Sequence, residues 1–222
     1  MKNNNKLPTV IIVDDKYGII KSIILILFFL INVFYIPKGI PFFTPYLIIF
    51  LLVILFNYHQ ILNDLKIFVK NIKVYIPYII KNYFQMLGTM VLVAIPISII
   101  NNGNISSNQQ LINNMFDKVP IIVLLLSTLY APFVEENIFR LSFLRIFKNK
   151  YVFIILSSFI FGLLHVIDSV SSIYQFLYIF QYMSLGYFLA RAYYDSKNIF
   201  ISMSMHFLQN FISAILILLL HL

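Results

Sequence analysis

The chain has 222 residues, of which 61% are hydrophobic, 17% aromatic and 11% charged, with a mean hydropathy of +0.90. A water-soluble domain needs more surface charge than this, so the composition specifies a polytopic membrane protein. The net charge of +8 falls in short connections between apolar runs, a topology pattern that argues against nucleic acid as a partner, and the absence of Cys excludes disulfides and thiolate chemistry.

Residues 1–18 are polar and charged around a short apolar patch, Val10–Val13. The first long apolar run, residues 18–36, is too long for a cleaved leader and lacks a small-x-small site, so it is expected to be a retained span. Further runs cover 44–57, 76–100, 119–135, 151–167, 173–193 and 199–220. The fold expected is all-α, a polytopic membrane bundle of about seven transmembrane helices (six to eight), since a span needs about 20 apolar residues. The second run is short. The fourth either continues past its glutamates to about Phe147 or is broken at Pro132, where a proline removes a backbone hydrogen bond. Residues 1–118 then comprise a tail and three spans, and 119–222 the remaining helices, within one integral membrane domain.

Loop charges test that count. With seven spans and the N-terminus inside, thirteen Lys and Arg fall on the inside, from Lys2 to Lys197. Only Lys38 and Lys118 fall outside, and Arg140 lies within a span. This bias predicts a multi-pass protein of the cell membrane with a cytoplasmic N-terminus. The longest outside connection, Asn101–Asp117, is rich in Asn and Ser.

Three polar motifs interrupt the apolar runs: Glu135-Glu136-x-x-x-Arg140, Phe161-x-x-x-His165 and His206-x-x-x-Asn210. An ionisable residue in a span costs at least about 2.5 kcal/mol, so two adjacent glutamates and two histidines in separate spans read as a buried reaction centre. A rise of about 1.5 Å per residue puts Glu135, His165, His206 and Asn210 all near the bilayer midplane. Glu136 and Arg140 share a helix face and suit an ion pair, while Glu135 points about 100° away and stays free for chemistry. The blander alternative puts both glutamates in a cytoplasmic loop; the apolar stretch leading into them speaks against it. A lone His165 near a span end is more often a satisfied interfacial residue. Ser158 and Gly162, on the same helix, form a small-x-x-x-small pair suited to close helix contact. Ser202, His206 and Asn210, with Gln209 and Ser213 beside them, make a polar stripe that must face protein or water; helix–helix hydrogen bonding is its plainer reading. His59 and His221 look incidental, and Asp168 reads as loop solvation. No His-Glu-x-x-His, no rhomboid-type Gly-x-Ser and no Asp in the middle of a span is found.

In this order and on successive helices, the three motifs resemble those of the CAAX-protease and bacteriocin-processing (CPBP, or Abi) intramembrane proteases. The flanking Ala131-Pro132-Phe133-Val134 and Gly162-Leu163-Leu164 are also similar, and the resemblance covers roughly residues 119–215. Leu141 follows Arg140 where members often have Gly. The resemblance implies a catalytic core of four helices around a cytosol-facing cavity and endopeptidase activity on a membrane-associated peptide or protein. Eukaryotic members cut prenylated CAAX proteins; bacterial members are linked to bacteriocin immunity, pheromone maturation and surface-protein anchoring. On this reading Glu135 is general base to a water that His165 helps to hold, and His206 and Asn210 stabilise the oxyanion. A zinc variant, with the metal held by Glu135, His165 and His206, stands beside a metal-independent one. A non-catalytic immunity or scaffold protein and a proton-coupled transporter are the competing functions.

Overall fold

The structure is a computed structural model that describes residues 7–12, 16–35, 41, 43–167 and 172–220. Asp168 and His221 lie outside the described residues. Those described form an all-α membrane bundle with no strand among them. Each of the seven apolar runs finds a helix. They are α1 (Gly18–Phe34), α2 (Thr44–Lys70), α3 (Ile72–Ile100), α5 (Pro120–Ile146), α6 (Lys150–Leu164), α8 (Ile179–Ser196) and α9 (Ile199–Leu220). Two shorter helices, α4 (Ser107–Phe116) and α7 (Ile173–Phe176), lie in connections. Helices α2, α3, α5 and α9 are long and apolar enough to cross a membrane; α1 and α6 are shorter apolar helices.

Three boundaries differ from the sequence expectation. Helix α2 does not stop near residue 57 but runs to Lys70. Its last three turns are polar in sequence yet bury Asn57, Gln60 and Asp64, so tertiary hydrogen bonding sustains a helix that hydropathy ends early. Asp64 is therefore a fully buried acid within a helix otherwise apolar enough to span. The sixth run divides into α7 and α8, and the Asn/Ser-rich connection folds in part as α4, whose N-cap Ser106 accepts the Gln109 N–H.

The fourth run is continuous. Helix α5 carries two π-helical stretches, Leu126–Tyr130 and Asn137–Ser142, on either side of Ala131–Glu136. The first ends where Ala131 N–H bonds the Leu126 carbonyl, one residue further back than in an α-helix. That widening directly precedes Pro132, so the chain accommodates a residue without an N–H and keeps its course. The second holds Arg140, and there the Ser142 hydroxyl bonds the Asn137 carbonyl.

One end of the bundle gathers the basic connections. There Asp64 Oδ2 accepts Ile199 N–H at 2.8 Å and so caps the start of α9, and its carbonyl accepts Asn198 Nδ2 at 2.8 Å. Gln60 Nε2 donates to Asp64 Oδ1 at 2.6 Å. Arg145 donates to Asn57 Oδ1 at 2.7 Å, and Asn57 Nδ2 donates to Asn137 Oδ1 at 3.2 Å. The N-terminal segment packs across this end: Val10 N–H bonds the Ser196 carbonyl and the Tyr75 hydroxyl bonds that of Pro8. At the opposite end Asn101 and Ser107 bond Tyr174 and Gln175, and Tyr178 bonds the Asn104 carbonyl.

The main core joins α1, α2, α3, α5, α6, α8 and α9 through residues such as Leu25, Val53, Met86, Ile138, Phe153, Leu189 and Ile201. Helices α6 and α8 meet most closely. A Cβ on Gly162 would lie 2.7 Å from Met183 Cγ and 2.9 Å from its backbone nitrogen; one on Gly186 would lie 3.0 Å from Ser158 Cα. The small-residue spacing of Ser158 and Gly162 thus lets two backbones approach.

Candidate active site

Glu135 and Glu136 lie at the middle of α5, between its two π-helical stretches, and they part company as their spacing requires. Glu136 is fully buried against the protein. Arg140 Nε donates to its Oε2 at 2.9 Å, and a second guanidinium nitrogen reaches Oε1 at 3.4 Å. Arg140 is fully buried as well. Its remaining contacts are the Ser157 hydroxyl and the face of Phe161, whose centroid is 5.1 Å from the guanidinium carbon. Ser157 in turn donates to the Phe139 carbonyl at 2.7 Å. A buried ion pair survives only when its polar atoms are satisfied in this way.

Glu136 has a second task that the sequence did not reveal. His206 Nδ1 lies 3.1 Å from its Oε1. A carboxylate can only accept, so Nδ1 carries the hydrogen and the imidazole is fixed in orientation. The other ring nitrogen, Nε2, faces Glu135 Oε2 at 3.9 Å. Glu135 is the more open of the two acids, with 18% of its side chain exposed, and its Oε2 has no hydrogen-bond partner among the described residues.

His165 caps the end of α6. Its Nδ1 is 2.8 Å from the Phe161 carbonyl, which can only accept, so Nε2 is the nitrogen with a free lone pair. Phe161 packs against both histidines, with ring centroids 4.3 Å from His165 and 5.8 Å from His206. The phenylalanine of the second motif is thus the spacer of the site, under Arg140 and beside both imidazoles. On its far side His165 stacks on Tyr182 at 4.9 Å, and the Tyr182 hydroxyl is 2.8 Å from Ser106 Oγ. Asn210 Nδ2 donates to the Ser127 carbonyl at 2.8 Å, inside the first π-helical stretch, leaving its second N–H.

Glu135, His165, His206 and Asn210 all line one cavity of about 720 Å³, with Gln209 and Ser213 of the polar stripe. Glu136 and Arg140 stand behind that wall and do not line it. The structure therefore brings all six motif residues together, four at the cavity and two as their support. His59 is elsewhere, ring to ring with Tyr58 on α2. Ser202 is buried and bonds the Ile199 carbonyl of its own helix, not the neighbouring helix that its plainer reading expects. Tyr182, Ser157 and Ser127 join the site without having been singled out; a hydroxyl on an apolar run was the only signal available for them.

Among the described residues no three His, Asp or Glu side chains gather as metal ligands. Glu135, His165 and His206 share the cavity wall, and as placed here they do not stand as a three-donor set.

The cavity runs from Glu135, Phe139 and His206 to Ser98, Ser106 and Asn108 at the end away from the basic connections. Apart from Glu135, no residue of fixed charge lines it among those described.

Comparison with known proteins agrees with the motifs. Residues 117–212 match the family model described as type II CAAX prenyl endopeptidase Rce1-like. The UPF0177 protein YvdC of Lactococcus lactis subsp. lactis (strain IL1403) is 30% identical over 132 residues, 59% of this chain and 48% of that protein. The chain thus spans about half the length of this curated relative. No solved structure matches. The motif-based resemblance is borne out over residues 117–212, which hold all three motifs and are similar to the Rce1-like CAAX endopeptidases.

Proposed function

We propose that the protein is a membrane-embedded endopeptidase that hydrolyses a peptide bond in a membrane-associated peptide or protein. One observation carries this reading: an acid with an unpartnered oxygen, two oriented imidazoles and a carboxamide, from three helices, line one cavity near the middle of the bundle. Glu135 takes a proton from a water as the water oxygen attacks the peptide carbonyl carbon. His165 accepts a hydrogen bond from that water at Nε2, because Phe161 occupies its Nδ1. The carbonyl oxygen becomes the oxyanion, and Asn210 donates its second N–H to it. His206 Nε2, 3.9 Å from Glu135, shares the proton with the acid, and donates to the oxyanion when it holds it. The proton then passes to the leaving nitrogen as the C–N bond breaks. Glu136 and Arg140 hold His206 and the helix in register.

The test compares membrane and secreted peptides of wild-type and Glu135→Gln cells. An uncut precursor present only in the variant supports the proposal. Identical processing in both, with Glu135→Gln protein at normal abundance, removes Glu135 as base and favours a non-catalytic binding role.

A further inference from the structure

Resting on the endopeptidase reading, we propose that the active-site cavity receives its substrate from the non-cytoplasmic side of the membrane, and that the substrate is an uncharged, largely apolar stretch of an exported, membrane-attached peptide. The family resemblance leads instead to a cytosol-facing cavity, and two features of this chain oppose it. The first is which end is open. The cavity lining extends from Glu135 to Ser98, Asn108 and Gln181, which belong to the end where α3 finishes and α8 begins. The other end is closed. The Arg145–Asn57–Asn137 chain lies directly beyond Glu136, Asp64 caps α9, and residues 7–12 cover Tyr75 and Ser196. Among the described residues, none of the basic connections lines the cavity.

The second feature is charge. Lys66, Lys70, Lys148, Lys150 and Lys197 all belong to the closed end, where α2 meets α3, α5 meets α6, and α8 meets α9. Lys118 is the described lysine at the open end. Short loops rich in Lys and Arg stay in the cytoplasm, so the closed end is cytoplasmic and the open end faces out. The lining then describes the guest. Asn108, Gln109, Gln181 and Gln209 offer neutral amides for a peptide backbone among Phe, Ile, Leu and Met side chains. With Glu135, the proposed base, as the one fixed charge among described lining residues, an anionic guest group would lose its hydration without gaining a partner and a cationic one could pair only by engaging that base.

The native chain has no cysteine, which makes the test direct. Asn108→Cys and Gln181→Cys mark the mouth, Ser213→Cys the interior and Lys148→Cys the closed end. Intact cells expressing each full-length variant are treated with a membrane-impermeant thiol reagent, then permeabilised and treated again. The expected result is modification of the first three in intact cells and of Lys148→Cys only after permeabilisation. The reverse pattern overturns the proposal. Blocking Ser213→Cys from outside should also stop precursor processing; modification from outside with processing unchanged would keep the access route and sink the protease reading of the cavity. Wild-type cells should cut the precursor that accumulates in Glu135→Gln cells within an exported, uncharged segment, and a cut in a cytoplasmic segment also overturns the proposal.

Discussion

His206 Nδ1 and Glu136 Oε1 lie 3.1 Å apart, although the two residues are on different helices and 70 positions apart in sequence. The same carboxylate holds Arg140 at 2.9 Å. One buried acid therefore serves both as counter-ion and as the clamp on a cavity-lining imidazole. This explains why adjacent glutamates are needed: the helix turns one toward the protein and the other toward the cavity.

The two acids should separate on mutation. Glu136→Gln leaves Arg140 as a buried, uncompensated charge and weakens the hold on His206. Breaking one side of such a pair costs roughly 3–5 kcal/mol. Thermal unfolding in detergent should show a large loss for Glu136→Gln and little change for Glu135→Gln, while cleavage is lost in Glu135→Gln. Equal stability of the two variants would remove the supporting role from Glu136.

Close helix packing gives a second expectation. Gly162→Ala puts a methyl group against the Met183 backbone, and Gly186→Ala puts one against Ser158 Cα. Overpacking of this kind costs about 1–3 kcal/mol. Gly88, with nothing within 4 Å of its Cβ position, is the control. Gly88→Ala should be neutral or stabilising by up to about 1 kcal/mol, since alanine favours the helix. Unfolding midpoints of the three variants, measured side by side, check the ranking.

Asp64 should matter although it is remote from the cavity. It caps the helix that carries His206 and Asn210. Loss of a capping side chain costs about 0.5–2 kcal/mol. Asp64→Ala should lose at least this much, and Asp64→Asn less, because the amide oxygen can still accept the Ile199 N–H. If the two variants unfold alike, the cap is not what Asp64 supplies.

Lys197 makes stability depend on pH. Burial lowers it from the usual 10.5 to about 8, helped by nearby Lys150 and opposed by Asp195. A folded-state value below the unfolded one means that the unfolded chain binds more protons between about pH 8 and 10.5. Stability contributed at this position should therefore rise with pH across that window. Unfolding at pH 7.5 and 9.5 should differ more for wild type than for Lys197→Gln; an unchanged difference would assign the effect elsewhere.

The sequence made the site legible for a physical reason: an ionisable residue inside an apolar run is costly, so Glu135, Glu136, Arg140, His165 and His206 stood out without a structure. The apolar runs placed the helices for the same reason. What stayed hidden was polar but bland. Residues 58–70 read as a loop because hydropathy registers composition and not burial, yet Asp64 there is fully buried. The hydroxyls of Ser157 and Tyr182 carried no motif. The course of α5 through Pro132 was ambiguous because a proline can break a helix or sit beside a π-helical turn, and only the backbone shows which.

The last expectation concerns His206 and Asn210, which lie one turn apart on α9 and enter the same cavity. If both meet the oxyanion, each Ala variant should lose turnover more than affinity, by about 10²–10³ in kcat. The double variant should lose less than the product of the two, because groups acting as a unit are not additive. The structure gives the two residues different dependencies. His206 is held through Glu136, so Glu136→Gln should reproduce part of the His206→Ala rate loss. Asn210 is held by the Ser127 carbonyl, a backbone group that no side-chain change at the glutamates removes. Asn210 therefore keeps its place in Glu136→Gln, and because Glu136 acts through His206, Asn210→Ala combined with Glu136→Gln should also lose less than the product of the two single losses. Metal content of the purified proteins supplies the remaining contrast: a zinc ligand at His206 would make His206→Ala release metal while Asn210→Ala retains it. Single-turnover cleavage by these five variants decides the matter, and normal turnover by His206→Ala with unchanged metal content would leave the polar stripe a packing feature.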